Sequence, residues 1–222
     1  MKQIIYLIIL LTLCSTVYAE DGKWLSDWER SEAYDGVDIE CRQHKSRINE
    51  CRFTTITDLS SDALLHVNID GPNLKNWMDG ILSSEPFDVK HPMNYKMYTT
   101  YNFPGARNRD SVTHSTIVKN EQEKTVTLNF KSIKHPQKPT DLRFVRFPAI
   151  KGFWEFKTLS NGKTKITYQN IGLPGEYVQK MLFSLYNYST KESGAKTVVN
   201  LLKEARKPKY RNTTLDYSVA KR

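Results

Sequence analysis

The sequence predicts an α+β fold in which a curved antiparallel β-sheet wraps around one long C-terminal helix. Two observations predict it. Between Tyr95 and Gln169, short runs of alternating apolar and polar residues follow one another (TVTLNFKSI, DLRFVRFPAI, GFWEFKTL, KTKITYQN), and Asn161-Gly162 supplies a tight turn between the last two. From Pro174 to Arg206 the period changes. Val178, Met181, Leu182, Leu185, Ala195, Val198, Val199, Leu202 and Ala205 recur at three- and four-residue spacing, the stripe of an amphipathic helix with Gly194 near its middle.

The remaining elements follow in chain order. Trp24, Leu25 and Trp28 at helical spacing predict an N-terminal helix over Trp24 to Tyr34, ended by Asp35-Gly36. Two strands come next. Val37, Ile39 and Cys41 share one face of the first, and Cys51 and Phe53 share one face of the second. A hairpin turning near Ser46 sets the two sulfurs opposite each other, so two readings stand: a bridge permitted by an oxidising compartment, or two small buried thiols. Asp58 or Ser60 then caps a short helix containing Ala63, Leu64 and Val67, and Pro72 to Met78 predict a second helical turn whose proline sits where its missing N–H does no harm.

The N-terminus points to export. Met1-Lys2, the apolar run Ile4 to Leu13 and the small residues Val17 and Ala19 make residues 1–19 a signal peptide cleaved before Glu20. That run is about half of the roughly 20 residues a bilayer span needs, and no second one follows. The expectation is therefore a periplasmic or secreted chain with a single domain over 20–207, a basic polar tail over 208–222, and a monomeric state. The formal charge of +9 on 222 residues is diffuse. Only Lys203, Arg206, Lys207, Lys209 and Arg211 form a cluster, either for transient contact with an anionic membrane surface or as a solvated helix end whose cations suit the helix dipole. Nucleic acid is not an expected partner, because an export signal is present and no recognition motif is. Cys41 and Cys51 have no CxxC partner or histidine at ligand spacing, so neither metal nor cofactor is expected.

One stretch concentrates candidate binding residues. Tyr95 to Val112 is an aromatic, strand-like run that ends in Phe103-Pro104 and then delivers Arg107, Arg109 and Asp110, a composition that suits a cavity with apolar walls and one charged point. A solvated loop carrying surface charges is the competing reading.

Several short motifs together resemble the START (StAR-related lipid transfer) family, and particularly its bacterial exported members. They are Trp28 with Asp35-Gly36-Val37, Phe53, Trp77-Met78, Tyr98 with Phe103-Pro104 and Arg109-Asp110-Ser111-Val112, Val145-Arg146, Gly152 with Trp154, and Gly162 with Thr164 and Thr167-Tyr168. The resemblance runs from about Trp24 to about Lys207. It departs at Leu173-Pro174-Gly175-Glu176, where the family usually carries an aspartate, a proline and two glycines, and at Gln179 and Met181, where it carries a proline and a tryptophan. A different lid turn and cavity mouth are expected from these departures.

The resemblance implies a helix-grip fold enclosing one hydrophobic small molecule or lipid between sheet and terminal helix, without catalysis. Trp77, Tyr95, Tyr98, Tyr101, Trp154 and Tyr168 are the candidate lining aromatics, with plain core as the other reading. Met181 and Leu185 are lid or core. Arg109, Asp110 and Arg146 are the candidates to meet the ligand's polar end, the alternative for the first two being an internal ion pair. An enzyme of the same superfamily, cyclase-like or hydrolase-like, is the rival class. Its first candidate would be His114, which strand alternation turns outward; the other histidines fit no acid–base motif.

Overall fold

A computed structural model describes residues 24–103, 105–175 and 183–217. The signal segment 1–19, Pro104, Gln179 and Met181 lie outside them. Among the described residues one sheet contains ten strands: β1 (Glu29–Tyr34), β2 (Val37–Gln43), β3 (Asn49–Thr57), β4 (Ile81–His91), β5 (Asn94–Tyr101), β6 (Arg109–Asn120), β7 (Thr125–Ser132), β8 (Val145–Arg146), β9 (Ala149–Thr158) and β10 (Thr164–Leu173). The antiparallel order is β1-β2-β3-β10-β9-β7-β6-β5-β4, and β8 pairs in parallel with β6. Helices α1 (Ser61–Ile69), α2 (Phe183–Ala205) and α3 (Pro208–Arg211) and a 3-10 turn (Gly71–Asn76) complete it. A curved sheet with α2 lying across its concave face is the α+β, helix-grip architecture that the sequence predicts.

The turns follow local chemistry. Gly162 adopts φ +78°, the left-handed conformation for which glycine has no Cβ penalty, and closes the β9–β10 hairpin. Ser60 caps α1 by accepting from the Ala63 amide at 3.2 Å. The β2–β3 hairpin turns through residues 44–48, placing Cys41 directly opposite Cys51, and the two are bridged.

The core fills the space between the sheet and the C-terminal half of α2. Phe53, Phe156 and Ile166 from the sheet, Leu64 and Leu65 from α1, and Ala195, Val198 and Leu201 from α2 are all fully buried. Gly194 is the point of closest approach. A Cβ built there would stand 2.1 Å from the Phe53 ring, so only glycine lets the helix backbone rest on that aromatic.

Three expectations are corrected. The N-terminal segment is a strand, not a helix: Asp35 (φ +48°) and Gly36 (φ +77°) form a two-residue hairpin turn that hands Glu29–Tyr34 to β2 as a pairing partner. Trp24 and Trp28 never enter the core. They lie against guanidiniums on the outer face, Arg42 at 3.5 and 4.7 Å and Arg52 at 4.5 Å from Trp28, so their helical spacing encodes no buried stripe. The terminal helix does not begin at Pro174, because β10 continues to Leu173 and Gly175 has φ +86°. Residues 208–217 are folded. Tyr210 and Tyr217 are buried, while the exposed Arg206, Lys207 and Lys209 pair with Asp58, Glu204 and Asp70.

Candidate ligand cavity

The N-terminal half of α2 stands off the sheet, and the gap is a cavity of about 520 Å³. Its shape follows from the alternation of side chains along the strands. β5 turns Tyr95, Met97, Thr99 and Tyr101 inward, β6 contributes Thr113 and Ser115, β7 Leu128 and Phe130, and β9 and β10 add Trp154, Tyr168, Asn170 and Gly172. Leu185, Tyr186 and Tyr188 of α2 form the roof, while Asp79, Gly80, Asn102 and Phe103 form the rim. The floor is an aromatic stack. Tyr168 lies flat on Trp154 with centroids 4.0 Å apart, and Phe53 and Trp77 back them at 5.7 Å from Tyr168 and 6.3 Å from Trp154.

Of the residues singled out from the sequence, Tyr95, Tyr101, Trp154, Tyr168 and Leu185 meet at this cavity. Trp77 does not line it; its ring is core behind Trp154. Tyr98 has the opposite parity to Tyr95 and Tyr101, so it occupies the convex face, where its hydroxyl donates to Asp110 Oδ2 at 3.1 Å. Asp110 and Arg146 are there too, joined through Arg146 Nε to Oδ1 and Nη2 to Oδ2, each at 2.8 Å. This forked pair ties β8 to β6 and faces away from any ligand.

Arg109 therefore does not pair with Asp110: adjacent residues on one strand point to opposite faces. Its guanidinium is fully buried, donates to the carbonyls of Pro174 (3.2 Å) and Arg107, and lies 4.0 Å over the Phe103 ring. Phe103 stacks in turn on Tyr186 at 5.5 Å. Arg109 thus braces one end of the cavity from behind its aromatic wall, and desolvation lowers its pKa. Met181 lies outside the described residues.

Apart from Asp79 and Glu192, the titratable groups lining the cavity are phenolic. Burial pushes Tyr95 up to about 12 and raises Tyr101, Tyr168 and Tyr186 as well, so all four are neutral hydroxyls near neutral pH. His114 is on the convex face, hydrogen-bonded through Nε2 to Asn94 at 2.7 Å, and burial, with Lys96 and Lys131 nearby, lowers its pKa. Among the described residues no group of three or more histidines, cysteines or carboxylates could hold a metal. Asn170 and Phe130, prominent in the wall, are absent from the sequence-derived candidates. Counting inward in twos from Trp154 and Tyr168 finds both, since register aligns Phe130 with Gly152 and Gly152 with Asn170.

Comparison with known proteins agrees with this architecture. No family model and no curated protein matches the chain. Among solved structures, it is similar to the STAR-related lipid transfer protein from Xanthomonas axonopodis, with a TM-score of 0.71 and 22% identity over 82% of this chain and 100% of that one. It is also similar to human STARD10, with a TM-score of 0.71 and 16% identity over 82% of this chain and 74% of that one. The Zhui aromatase/cyclase from Streptomyces sp. R1128 is more distant, at a TM-score of 0.50 and 10% identity over 70% of this chain and 92% of that one. The chain therefore has a START-like helix-grip fold built around a cavity.

Proposed function

We propose that this protein is an exported carrier that encloses one hydrophobic molecule, a lipid or lipid-like compound, between its sheet and α2 and shields it from water. The observation that carries the reading is the cavity of about 520 Å³ walled by Met97, Leu128, Phe130, Trp154 and the neutral tyrosines. Keeping an alkyl chain out of water is worth about 0.8 kcal/mol per methylene, so a chain of around ten carbons gains several kcal/mol by entering. The Xanthomonas axonopodis neighbour, named a STAR-related lipid transfer protein, supports the reading. Loading and unloading would occur at a membrane surface, where the exposed Leu185 and Tyr188 offer apolar contacts beside the cavity mouth. Against an enzyme stands the outward position of His114; the polar groups of the described cavity wall are hydroxyls and amides apart from the carboxylates of Asp79 and Glu192.

Mass spectrometry tests both parts. Protein recovered outside the cytoplasm should have the intact mass of a chain beginning at Glu20, and its organic extract should contain one hydrophobic compound in near-stoichiometric amount. An empty extract, together with no uptake of an added lipid, would overturn the carrier; an uncleaved N-terminus would overturn export.

A further inference from the structure

We propose that Asn170 is the polar anchor of the cavity and that it selects an uncharged amphiphile bearing a hydroxyl group over one with an ionised head. The proposal rests on the carrier reading and adds the class of molecule carried.

Register places Tyr95, Ser115, Phe130, Gly152, Asn170 and Cys51 side by side across five strand pairings, so their side chains share the concave face. Gly152 sits at the middle of this row. A Cβ there would stand 2.6 Å from the Phe130 ring and 2.2 Å from the Gln169 carbonyl, so the absence of a side chain is what lets Phe130 lean over the strand toward Asn170. The Asn170 amide donates through Nδ2 to the Tyr168 hydroxyl. Its Oδ1 is buried against the cavity and has no partner among the described residues. An unsatisfied buried acceptor in an apolar wall carries a desolvation penalty that a ligand donor would remove.

Charge decides which donor fits. No lysine, arginine or histidine lines the cavity among the described residues, and the carboxylates that do, Asp79 and Glu192, would repel an anionic head. Arg109 gives Nε and Nη1 to backbone carbonyls and keeps a buried Nη2 without a partner among the described residues, but Phe103 covers the guanidinium and Arg109 does not line the cavity. An ammonium could donate to Oδ1, but it would carry its charge into a wall with no anion beside Asn170, which is strongly unfavourable. A hydroxyl donates to Oδ1 and needs no counter-charge.

The test is competition of four twelve-carbon probes, dodecanol, dodecanoate, dodecylamine and dodecane, against an environment-sensitive naphthylamine dye on the mature protein. Dodecanol should bind about three- to tenfold more tightly than dodecane, the worth of one net neutral hydrogen bond, and more tightly than either charged probe. Asn170→Leu should abolish the advantage over dodecane, with circular dichroism and dye binding showing that the fold survives; Asn170→Ala serves should the leucine variant fail to fold. A variant that keeps the preference for dodecanol, or a wild-type protein that takes either ionised probe equally well, overturns the assignment and leaves the carrier standing. Failure of all four probes to displace dye from wild type overturns both.

Discussion

Tyr95 shows what the cavity asks of a single residue. Its phenol is fully buried, and desolvation outweighs the opposing pull of the Ser115 hydroxyl to move its pKa from 10.0 to about 12. A raised folded-state pKa has a definite sign: the contribution is complete below the unfolded value of 10.0 and is lost as pH rises toward about 12, because the unfolded chain ionises first. The melting temperature should therefore fall across that window, and Tyr95→Phe should flatten the fall by on the order of 2 kcal/mol. Unfolding curves collected from neutral to strongly alkaline pH check this; a variant as alkali-sensitive as wild type would mean that the phenol is already wet. At this scale the site was half legible. Strand period places Tyr95 and Tyr101 on one face and rules Tyr98 out of it, and the same parity separates Arg109 from Asp110. Residue type alone, aromatic or charged, does not carry that parity. Asn170 went unseen for a related reason: an amide is conspicuous only once its neighbours leave it without a partner.

Elements hold the cavity open by meeting in some places and separating in others, and Gly194 marks where they meet. Replacing it with alanine favours the helix by roughly 1 kcal/mol through backbone entropy. The added methyl, however, would collide with the Phe53 ring at 2.1–2.8 Å, and Phe53 is itself fully buried and unable to swing away. Overpacking of this kind costs about 1–3 kcal/mol, so the collision wins and Gly194→Ala should lower stability in urea unfolding. A stabilised variant would show that α2 rides higher above β3 than described. The strands that build the wall were legible because alternation and turn chemistry agree along them, as at Asn161-Gly162. The first segment hides its strand because Trp24, Leu25 and Trp28 satisfy helical spacing, and Asp35-Gly36 suits the end of a helix as well as a hairpin turn joining two extended runs. DLRFVRFPAI has the alternation of a strand and yields only the two residues of β8 before Pro148, which has no N–H to give a ladder.

For the whole molecule, the last turns of chain decide whether the helical side of the fold is closed. Tyr210 donates to Asp70 Oδ2 at 2.6 Å and accepts from Asn73 at 2.9 Å, and Tyr217 donates to Asp62 Oδ1 at 2.6 Å while the Leu215 amide reaches the other oxygen of Asp62 at 3.1 Å. Both carboxylates flank α1: Asp62 in its first turn and Asp70 at its C-cap. The segment after Lys207 thus straps α1 at both ends and covers its outward side with two buried aromatic rings. Composition hid this, because isolated tyrosines among lysines and arginines carry no period and read as a solvated tail, whereas the long periodic stripe of α2 was visible at once. A chain ending at Lys207 should lose at least about 3 kcal/mol, the scale of deleting one large buried aromatic. The loss should fall first on α1, whose amides should exchange with solvent faster than those of β9 and β10 in hydrogen-exchange measurements. Although Asn68 and Leu74 bring one edge of the cavity to α1 and the 3-10 turn, most of its wall comes from the sheet and the first half of α2, so the shortened protein should still take up a hydrophobic dye wherever it remains folded. Equal melting temperatures for the full and shortened chains would show that the strap closes nothing, and loss of dye uptake in a folded shortened chain would show that cavity and strap are one cooperative unit.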